Sequence, residues 1–214
     1  NLGALVCEAS GLAGKAEGVT AEVAEASSAA ALNLAWQAVR SGMTDVAAVV
    51  GVEKVTDVVG AGQELSLLGA SLDEDYESSE GLTPTGQAAL LLQRYLYENQ
   101  FPREVLRGFA MIARNNAVNN PNAMFRRELS ASAYNRAAPA AAPLNAFDIA
   151  AHADGSAALI LTRADLAPRN LAHKPIRVLS SSLIAGRLAV HDRRDPLFFE
   201  AAAVSVRQAC LKAN

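Results

Sequence analysis

Residues 20–32 read Thr-Ala-Glu-Val-Ala-Glu-Ala-Ser-Ser-Ala-Ala-Ala-Leu, an extended stretch that turns sharply into an alanine-rich helix. The pattern predicts a short strand over residues 19–23 and a helix over residues 27–41, begun by its serines and ended by Gly42. An apolar run over residues 46–50 follows, which is typical of a strand buried on both faces. Strand, helix and strand within about thirty residues predict a parallel βαβ unit.

The composition limits the classes of protein to which the chain can belong. With 214 residues, of which 51% are hydrophobic and 19% charged, it can bury one substantial core or two small ones. The net charge of −3 and the pI near 5.7 argue against electrostatic binding of nucleic acid. No apolar run approaches the ~18 residues of a membrane span, and we expect a cytoplasmic protein. Cys7 and Cys210 are predicted to be buried or half-buried thiols.

The remaining pattern predicts a helical insertion between two parts of a sheet. Residues 1–12 are predicted to be helical, and because the pattern is already under way at Asn1 we expect a fragment whose outer parts are absent. Residues 73–80 are acidic and predict a solvated loop. Two further helices are predicted, one over residues 84–99 and one from Pro102 with Val105, Phe109 and Ile112 on one stripe. An extended connector over 137–143, a buried strand over 154–162, a further strand over 175–180 and an amphipathic helix over 198–211 complete the prediction.

Residues 20–32 closely resemble the nucleophile turn of the thiolase superfamily, above all of the sterol-carrier-protein-type thiolases. The family pattern is Thr-Val-Glu-Ala-Ala-Cys-Ala-Ser-Gly-(small)-Ala-Ala-Leu. The residues kept here are Thr20, Glu22, Ala24, Ala26, Ser27, Ala30, Ala31 and Leu32. Glu25 stands at the position of the cysteine, and Ser28 at the position of a glycine. Residues 45–57, the Asn-Pro segment 116–125 and the Asp-Gly segment 154–158 resemble three further family motifs in the same order.

This resemblance implies an α/β fold, a layered sandwich of two similar halves with a loop domain that covers the pantetheine channel for coenzyme A. The implied domains are residues 1–59 for the first-half core, 60–143 for the loop domain, 144–174 for the return strand and 175–214 for the start of the second half. The family's second-half His-Asp-Ala-Phe-like and Gly-His-Pro segments do not occur here. We therefore interpret His152, His173 and His191 as loop histidines.

The substitution at Glu25 changes the chemistry that the resemblance implies. A thiolase needs a thiolate, whose pKa the helix N-terminus lowers, to attack an acyl-CoA. A carboxylate is a weak nucleophile, and its acyl anhydride would hydrolyse. Three alternatives remain open. In the first, Glu25 interacts electrostatically with the helix N-terminus in a non-catalytic subunit. In the second, it is a general base or acid for non-covalent carbon–carbon cleavage, such as a retro-aldol reaction of a β-hydroxyacyl-CoA, and in the third it records loss of function or a sequence artefact.

Other candidate site residues follow from the same resemblance. Ser27 and Ser28 are candidates for contacts with coenzyme A, although helix-start serines ordinarily bond to the backbone. Tyr134 is a candidate phenol acid, and Arg126 a candidate for binding the coenzyme's phosphates. The resemblance implies a protein that acts on acyl-CoA thioesters, by carbon–carbon bond cleavage or by acyl transfer. It implies no metal and no covalently bound cofactor, with a coenzyme A ester as substrate. It also implies a homodimer paired through residues 20–23 and, as a possible second protein, a zinc-ribbon plus OB-fold partner.

Overall fold

A computed structural model describes residues 1–56, 71–168, 170 and 173–213. Contacts divide the chain into two compact units. The first unit comprises Asn1–Glu53, Asp154–Gly186 and Phe199–Asn214, and the second comprises Lys54–Ala153 and Arg187–Phe198. The predicted domain boundaries stay predictions, and the boundary at residue 60 lies outside the described residues, as does Asp57 at the end of the second matching segment.

The first unit is a helix-on-sheet arrangement. Its helices are α1 (Leu2–Ala9), α2 (Ser27–Arg40) and, last in the chain, α6 (Glu200–Ala213); its strands are β1 (Val46–Glu53) and β4 (Gly155–Thr162). Helix α2 packs on β1 and β4, and the buried residues there are Ala30, Asn33, Val39 and Val49. All five of these elements were predicted, with ends that differ by a few residues.

The strand pairing in this unit differs from the prediction. Strand β1 pairs with β4, antiparallel, with Val46 opposite Thr162 and Glu53 opposite Gly155. The expectation of a parallel βαβ unit over residues 19–50 was wrong, because residues 19–22 form no strand that could pair with β1. The expectation of strands buried on both faces was also wrong: only Val49 of β1 is buried, and β4 has no fully buried residue.

Two predicted strands are absent from the part of the chain that the structure describes. Residues 19–22 have no regular secondary structure and Val23 forms only an isolated bridge, because the N–H groups of Val23 and Ala24 bond locally within the turn. Residues 175–180 form no strand either. There the Val178 carbonyl accepts a hydrogen bond from Trp36 Nε1 (3.3 Å), and Ser180 Oγ donates to the Ala209 carbonyl (2.6 Å). These contacts hold the segment against α2 and α6.

The second unit is mostly helical. Its α-helices are α3 (Pro84–Glu98), α4 (Arg107–Ala117) and α5 (Ala131–Asn135), with a π-helix at Glu74–Ser78 and a 3₁₀ turn at Arg103–Leu106. Helix α3 begins as predicted, with Thr83 Oγ1 accepting the Gly86 N–H (3.1 Å) and Pro84 in the first turn. Strands β2 (Pro139–Ala141) and β3 (Leu144–Asn145) form a small hairpin, where the sequence predicted an extended connector.

Two further expectations for this unit were wrong. The acidic segment 73–80 contains the π-helix, and its Glu77 is buried because the carboxylate accepts N–H groups from Asp73, Gln87 and Val190. The stripe of Val105, Phe109 and Ile112 points outward, with Phe109 75% exposed. Helix α4 instead packs through Ala110, which lies in a small core with Leu129 and Tyr134. Periodicity found the helix but not the face that is covered.

Smaller predictions can also be compared with the structure. Cys7 is half-buried as predicted, whereas Cys210 is exposed because it lies on the outer side of α6. The three histidines lie outside helices and strands, in agreement with their interpretation as loop residues. Among the described residues, no helix is both long and apolar enough to cross a membrane.

Candidate functional site

The turn that leads into α2 has an unusual backbone conformation. Ala24 adopts φ +46°, in the left-handed region that costs an ordinary L-residue roughly 1–2 kcal/mol. Two backbone hydrogen bonds between residues three apart close the turn. The Ala26 N–H donates to the Val23 carbonyl (3.0 Å), and the Ser27 N–H donates to the Ala24 carbonyl (3.0 Å). Glu25 lies between them, at the tip. The predicted sharp bend before the helix is therefore present, and its strain falls on the residue before Glu25.

Side chains of the turn stabilise this conformation. The Ala24 N–H donates to Glu22 Oε1 (2.7 Å), and the Val23 N–H donates to Ser27 Oγ (2.8 Å). The Ser27 hydroxyl lies 2.6 Å from the Ala24 carbonyl and 3.2 Å from Glu22 Oε1, either of which can accept its proton. Ser27 is thus engaged on both its donor and acceptor sides by the turn, as helix-start serines ordinarily are.

Glu25 itself is exposed and lies two residues before the first residue of α2. Ala26 is the N-cap and has no side chain that could cap the helix. In the part of the chain that the structure describes, no side chain forms an ion pair or hydrogen bond with the Glu25 carboxylate. A carboxylate in this position faces the partial positive charge of a helix N-terminus and is accessible to a ligand.

Ser28 is exposed and packs close to the backbone of β1. A Cβ placed on Gly51 would lie 3.0 Å from Ser28 Oγ, closer than such contacts normally allow. Ser28, which stands at the position of a glycine in the family pattern, thus packs tightly against Gly51. Helix α2 approaches the strand closely here only because residue 51 has no side chain.

A separate cavity of about 310 Å³ lies within the second unit. Arg126, the predicted phosphate-binding residue, lines it together with Arg127 and Arg114. The Arg114 guanidinium lies 4.1 Å from the ring centre of Phe125 and 5.5 Å from that of Phe147, within the range of cation–π contacts. The two rings restrain Arg114, so the cavity combines a fixed positive charge with an apolar wall.

Tyr134 occupies a different environment from the one expected of an acid. It is 2% exposed, does not line the cavity, and its hydroxyl donates to Asp148 Oδ1 (2.7 Å). Burial, together with the hydrogen bond to Asp148 and its charge, raises the pKa of Tyr134 to about 12. A phenol whose proton is held this tightly is a poor proton donor at neutral pH.

Asn145 completes a closed network with these two residues. Its side-chain Nδ2 donates to the Tyr134 carbonyl (3.1 Å), its Oδ1 accepts the Phe147 N–H (2.8 Å), and its own N–H donates to Asp148 Oδ2 (2.8 Å). Asn145 is 1% exposed. We call Tyr134, Asn145 and Asp148 the tyrosine network. Among the described residues, no buried side-chain nitrogen or oxygen lacks a hydrogen-bond partner, which is the arrangement expected of a structural element.

The structure divides the predicted site residues between the two units. Glu25, Ser27 and Ser28 share the turn of the first unit, and Arg126 and Tyr134 belong to the second. Sequence reasoning gave no role to Glu22, Arg114 or Asp148. Glu22 was visible as a retained family residue, but its bond to a backbone N–H two residues away depends on the left-handed Ala24, which the sequence does not signal.

An α/β fold with a strained turn into a small-residue helix defines the class of protein. The family model described as thiolase, N-terminal domain, matches residues 2–138. The chain belongs to the thiolase superfamily, and the predicted thiolase-type α/β fold is confirmed.

Several known proteins resemble this chain. An acetyl-CoA acetyltransferase of Methanothermobacter thermautotrophicus is 35% identical over 188 residues, covering 88% of this chain and 48% of that protein. The benzoylsuccinyl-CoA thiolase subunit BbsB of Thauera aromatica is 30% identical over 176 residues, covering 82% and 45%. A solved Ltp2-ChsH2(DUF35) aldolase has a similar fold, with a TM-score of 0.74 at 21% identity, covering 87% of this chain and 49% of the matched one. The chain spans about half the length of the relatives it matches.

Proposed function

We propose that this chain forms part of a protein that acts on acyl-CoA thioesters and that Glu25 is its general base or acid in carbon–carbon bond cleavage. The observation that carries the proposal is the position of Glu25: an exposed carboxylate at the tip of a strained turn, directly before the N-terminus of α2. The names of the relatives, an acetyl-CoA acetyltransferase and a benzoylsuccinyl-CoA thiolase subunit, support acyl-CoA as the substrate class.

The proposed reaction is a retro-aldol cleavage of a β-hydroxyacyl-CoA. The Glu25 carboxylate accepts the proton of the β-hydroxyl group, the C–O bond becomes a carbonyl, and the Cα–Cβ bond breaks. The electron pair of that bond passes to the thioester as an enolate. The protonated Glu25 then returns a proton to Cα, directly or through water, and is again a carboxylate. The products are an aldehyde or ketone and a shortened acyl-CoA. No covalent enzyme intermediate is required, which suits a residue that is a weak nucleophile.

Tyr134 has no part in this proposal, because its burial and raised pKa favour a structural role. Arg126 stays a candidate for binding the phosphates of coenzyme A, supported by the positive charge that it and Arg114 bring to the cavity of the second unit. Ser28 is better suited than Ser27 to contact the pantetheine arm, since the Ser27 hydroxyl is engaged by the turn. We also propose a homodimer, which the resemblance implies, and a cytoplasmic location.

A non-catalytic subunit is the second candidate function. The observation that favours it is that the N-terminus of α2 has no side-chain cap, so the Glu25 carboxylate can stabilise the helix without reacting. The name of one relative is that of a subunit, and the aldolase of similar fold is named for two proteins, one of them DUF35. Both names support assembly with a second protein, for which the zinc-ribbon plus OB-fold type remains our proposal.

The two functions are separated by replacing Glu25. The protein is incubated with β-hydroxyacyl-CoA substrates, alone and with the candidate partner, and shortened acyl-CoA is measured by mass spectrometry. For an enzyme, Glu25→Gln should lower the cleavage rate about 100-fold or more, since general-base catalysis contributes 10²–10⁴-fold. Glu17→Gln, at an exposed position in the preceding loop, is the matched control and should leave the rate unchanged. Coenzyme A binding and partner binding without cleavage, unaffected by Glu25→Gln, would instead establish the non-catalytic subunit.

A further inference from the structure

We propose that Glu22 is a positioning residue for Glu25, an inference that rests on the proposed function. A single carboxylate oxygen, Glu22 Oε1, accepts the Ala24 N–H (2.7 Å) and lies 3.2 Å from Ser27 Oγ. Through this one atom it contacts the residue before Glu25 and the first residue of α2. Glu22 thereby spans the two sides of the turn at whose tip Glu25 lies.

The backbone of the turn needs such an acceptor. Ala24 has a Cβ, and the left-handed conformation at φ +46° is unfavourable for a residue with a Cβ. Without the Glu22 carboxylate the Ala24 N–H would lose its acceptor. Ala24 would then lose a hydrogen bond that favours its strained conformation. A change of Ala24 towards an ordinary conformation would redirect the peptide that carries Glu25.

Ser27 reinforces the same arrangement from the helix side. Its Oγ accepts the Val23 N–H (2.8 Å) and lies 2.6 Å from the Ala24 carbonyl. Among the residues that the structure describes, no lysine, arginine or histidine forms an ion pair with Glu22. The described contacts of the Glu22 carboxylate therefore all go to the turn, although the residue itself is exposed.

Glutamine and alanine at position 22 separate positioning from charge. Glu22→Gln retains an Oε1 acceptor without the negative charge, whereas Glu22→Ala removes the acceptor. In the cleavage assay, Glu22→Ala should lower kcat about 10- to 100-fold with little change in KM, because a displacement of the reacting group of about 1 Å can cost 10²-fold. Glu22→Gln should restore most of kcat. Equal losses in both variants, or a loss confined to KM, would overturn the proposal.

A second measurement does not depend on activity. In a Glu25→Cys background, the rate at which iodoacetamide alkylates position 25 is followed by peptide mass spectrometry, which separates this thiol from Cys7 and Cys210. Loss of a nearby negative charge should on its own raise the thiolate fraction, so an unchanged turn predicts faster alkylation in both Glu22 variants. If Glu22 positions the turn, Glu22→Ala should alkylate at least about threefold more slowly than Glu22→Gln, because the thiol leaves the helix N-terminus.

The two experiments distinguish a failure of the proposed function from a failure of the positioning role. If the unmodified protein cleaves no β-hydroxyacyl-CoA but alkylation of the Glu25→Cys background still depends on the acceptor at position 22, the proposed function is wrong and the positioning role stands. If alkylation is as fast in Glu22→Ala as in Glu22→Gln, the positioning role is wrong whatever the activity. Glu17→Ala in the same background is the control and should alkylate at the parent rate.

Discussion

The Glu25 turn and the tyrosine network both place a carboxylate beside a tight bend, yet the two carboxylates have opposite surroundings. Asp148 accepts hydrogen bonds from Tyr134 and from the Asn145 backbone, within a region that is partly buried. Glu25 is exposed and, among the described residues, has no side-chain partner, while strain is concentrated on the residue before it. The network is satisfied and stabilises the fold, whereas the turn holds an exposed carboxylate that we propose to be the reacting group.

Asn145→Ala should have the largest effect on stability. It leaves the Phe147 N–H without its acceptor, at a cost of about 1–3 kcal/mol, and it opens a cavity at a position that is 1% exposed. The Tyr134 carbonyl loses one of its two donors and keeps the Ala137 N–H (3.1 Å). We expect a loss of about 3 kcal/mol in the free energy of unfolding, measured by chemical denaturation. Asn116→Ala, at an exposed position, is the control and should change stability by less than about 0.5 kcal/mol. If Asn145→Ala and Asn116→Ala lower the free energy of unfolding equally, the tyrosine network does not stabilise the fold, and its contrast with the turn is lost.

Tyr134→Phe should have a smaller effect that also depends on pH. The variant loses one buried hydrogen bond and leaves Asp148 Oδ1 without its donor, at a cost of about 2 kcal/mol. Because the folded pKa of Tyr134 is raised to about 12, the folded state holds this proton more tightly than the unfolded state. This contribution is fully present below about pH 10, the ordinary tyrosine pKa, and is lost as pH rises towards 12.

Denaturation as a function of pH checks this second prediction. The unmodified protein should lose stability between about pH 10 and 12 more steeply than Tyr134→Phe does. Tyr97→Phe, at an exposed position on α3, should keep the steep loss. If Tyr134→Phe and the unmodified protein follow parallel curves, the hydroxyl is not held as the structure describes.

Gly51→Ala should have the smallest effect, and it tests the turn side of the comparison. The added Cβ would lie 3.0 Å from Ser28 Oγ, and overpacking of this kind costs about 1 kcal/mol or somewhat more. Ser28→Gly removes the obstructing atom, so the double variant should recover part of the loss. A double-mutant cycle measures the coupling between the two positions. Strict additivity would show that Ser28 does not limit the approach of α2 to β1.

Local chemistry explains which elements could be predicted. Thr83 followed by Pro84 defines the start of α3, and Ser27 to Arg40 forms a helix because its small residues and terminal serines favour one. Segment 19–23 has apolar residues of strand type but forms no strand, since its N–H groups bond within the turn. The stripe of Phe109 and Ile112 likewise shows that an apolar pattern does not predict which contacts form. The period of apolar residues identifies a helix but cannot say which face another element will cover.

Some features of the candidate site could likewise be predicted from the sequence, and others are visible only in the structure. The order of residues was enough to place a carboxylate at the sharp bend before α2, because residues 20–32 resemble the nucleophile turn of the family. Folding in three dimensions supplied the rest: the left-handed Ala24, the acceptor from Glu22, the close approach of Ser28 to Gly51, and the burial that changes Tyr134 from a candidate acid into a structural residue. Hydrogen-bond partners and burial depend on which segments meet, and contacts between distant segments leave no signal in a local pattern.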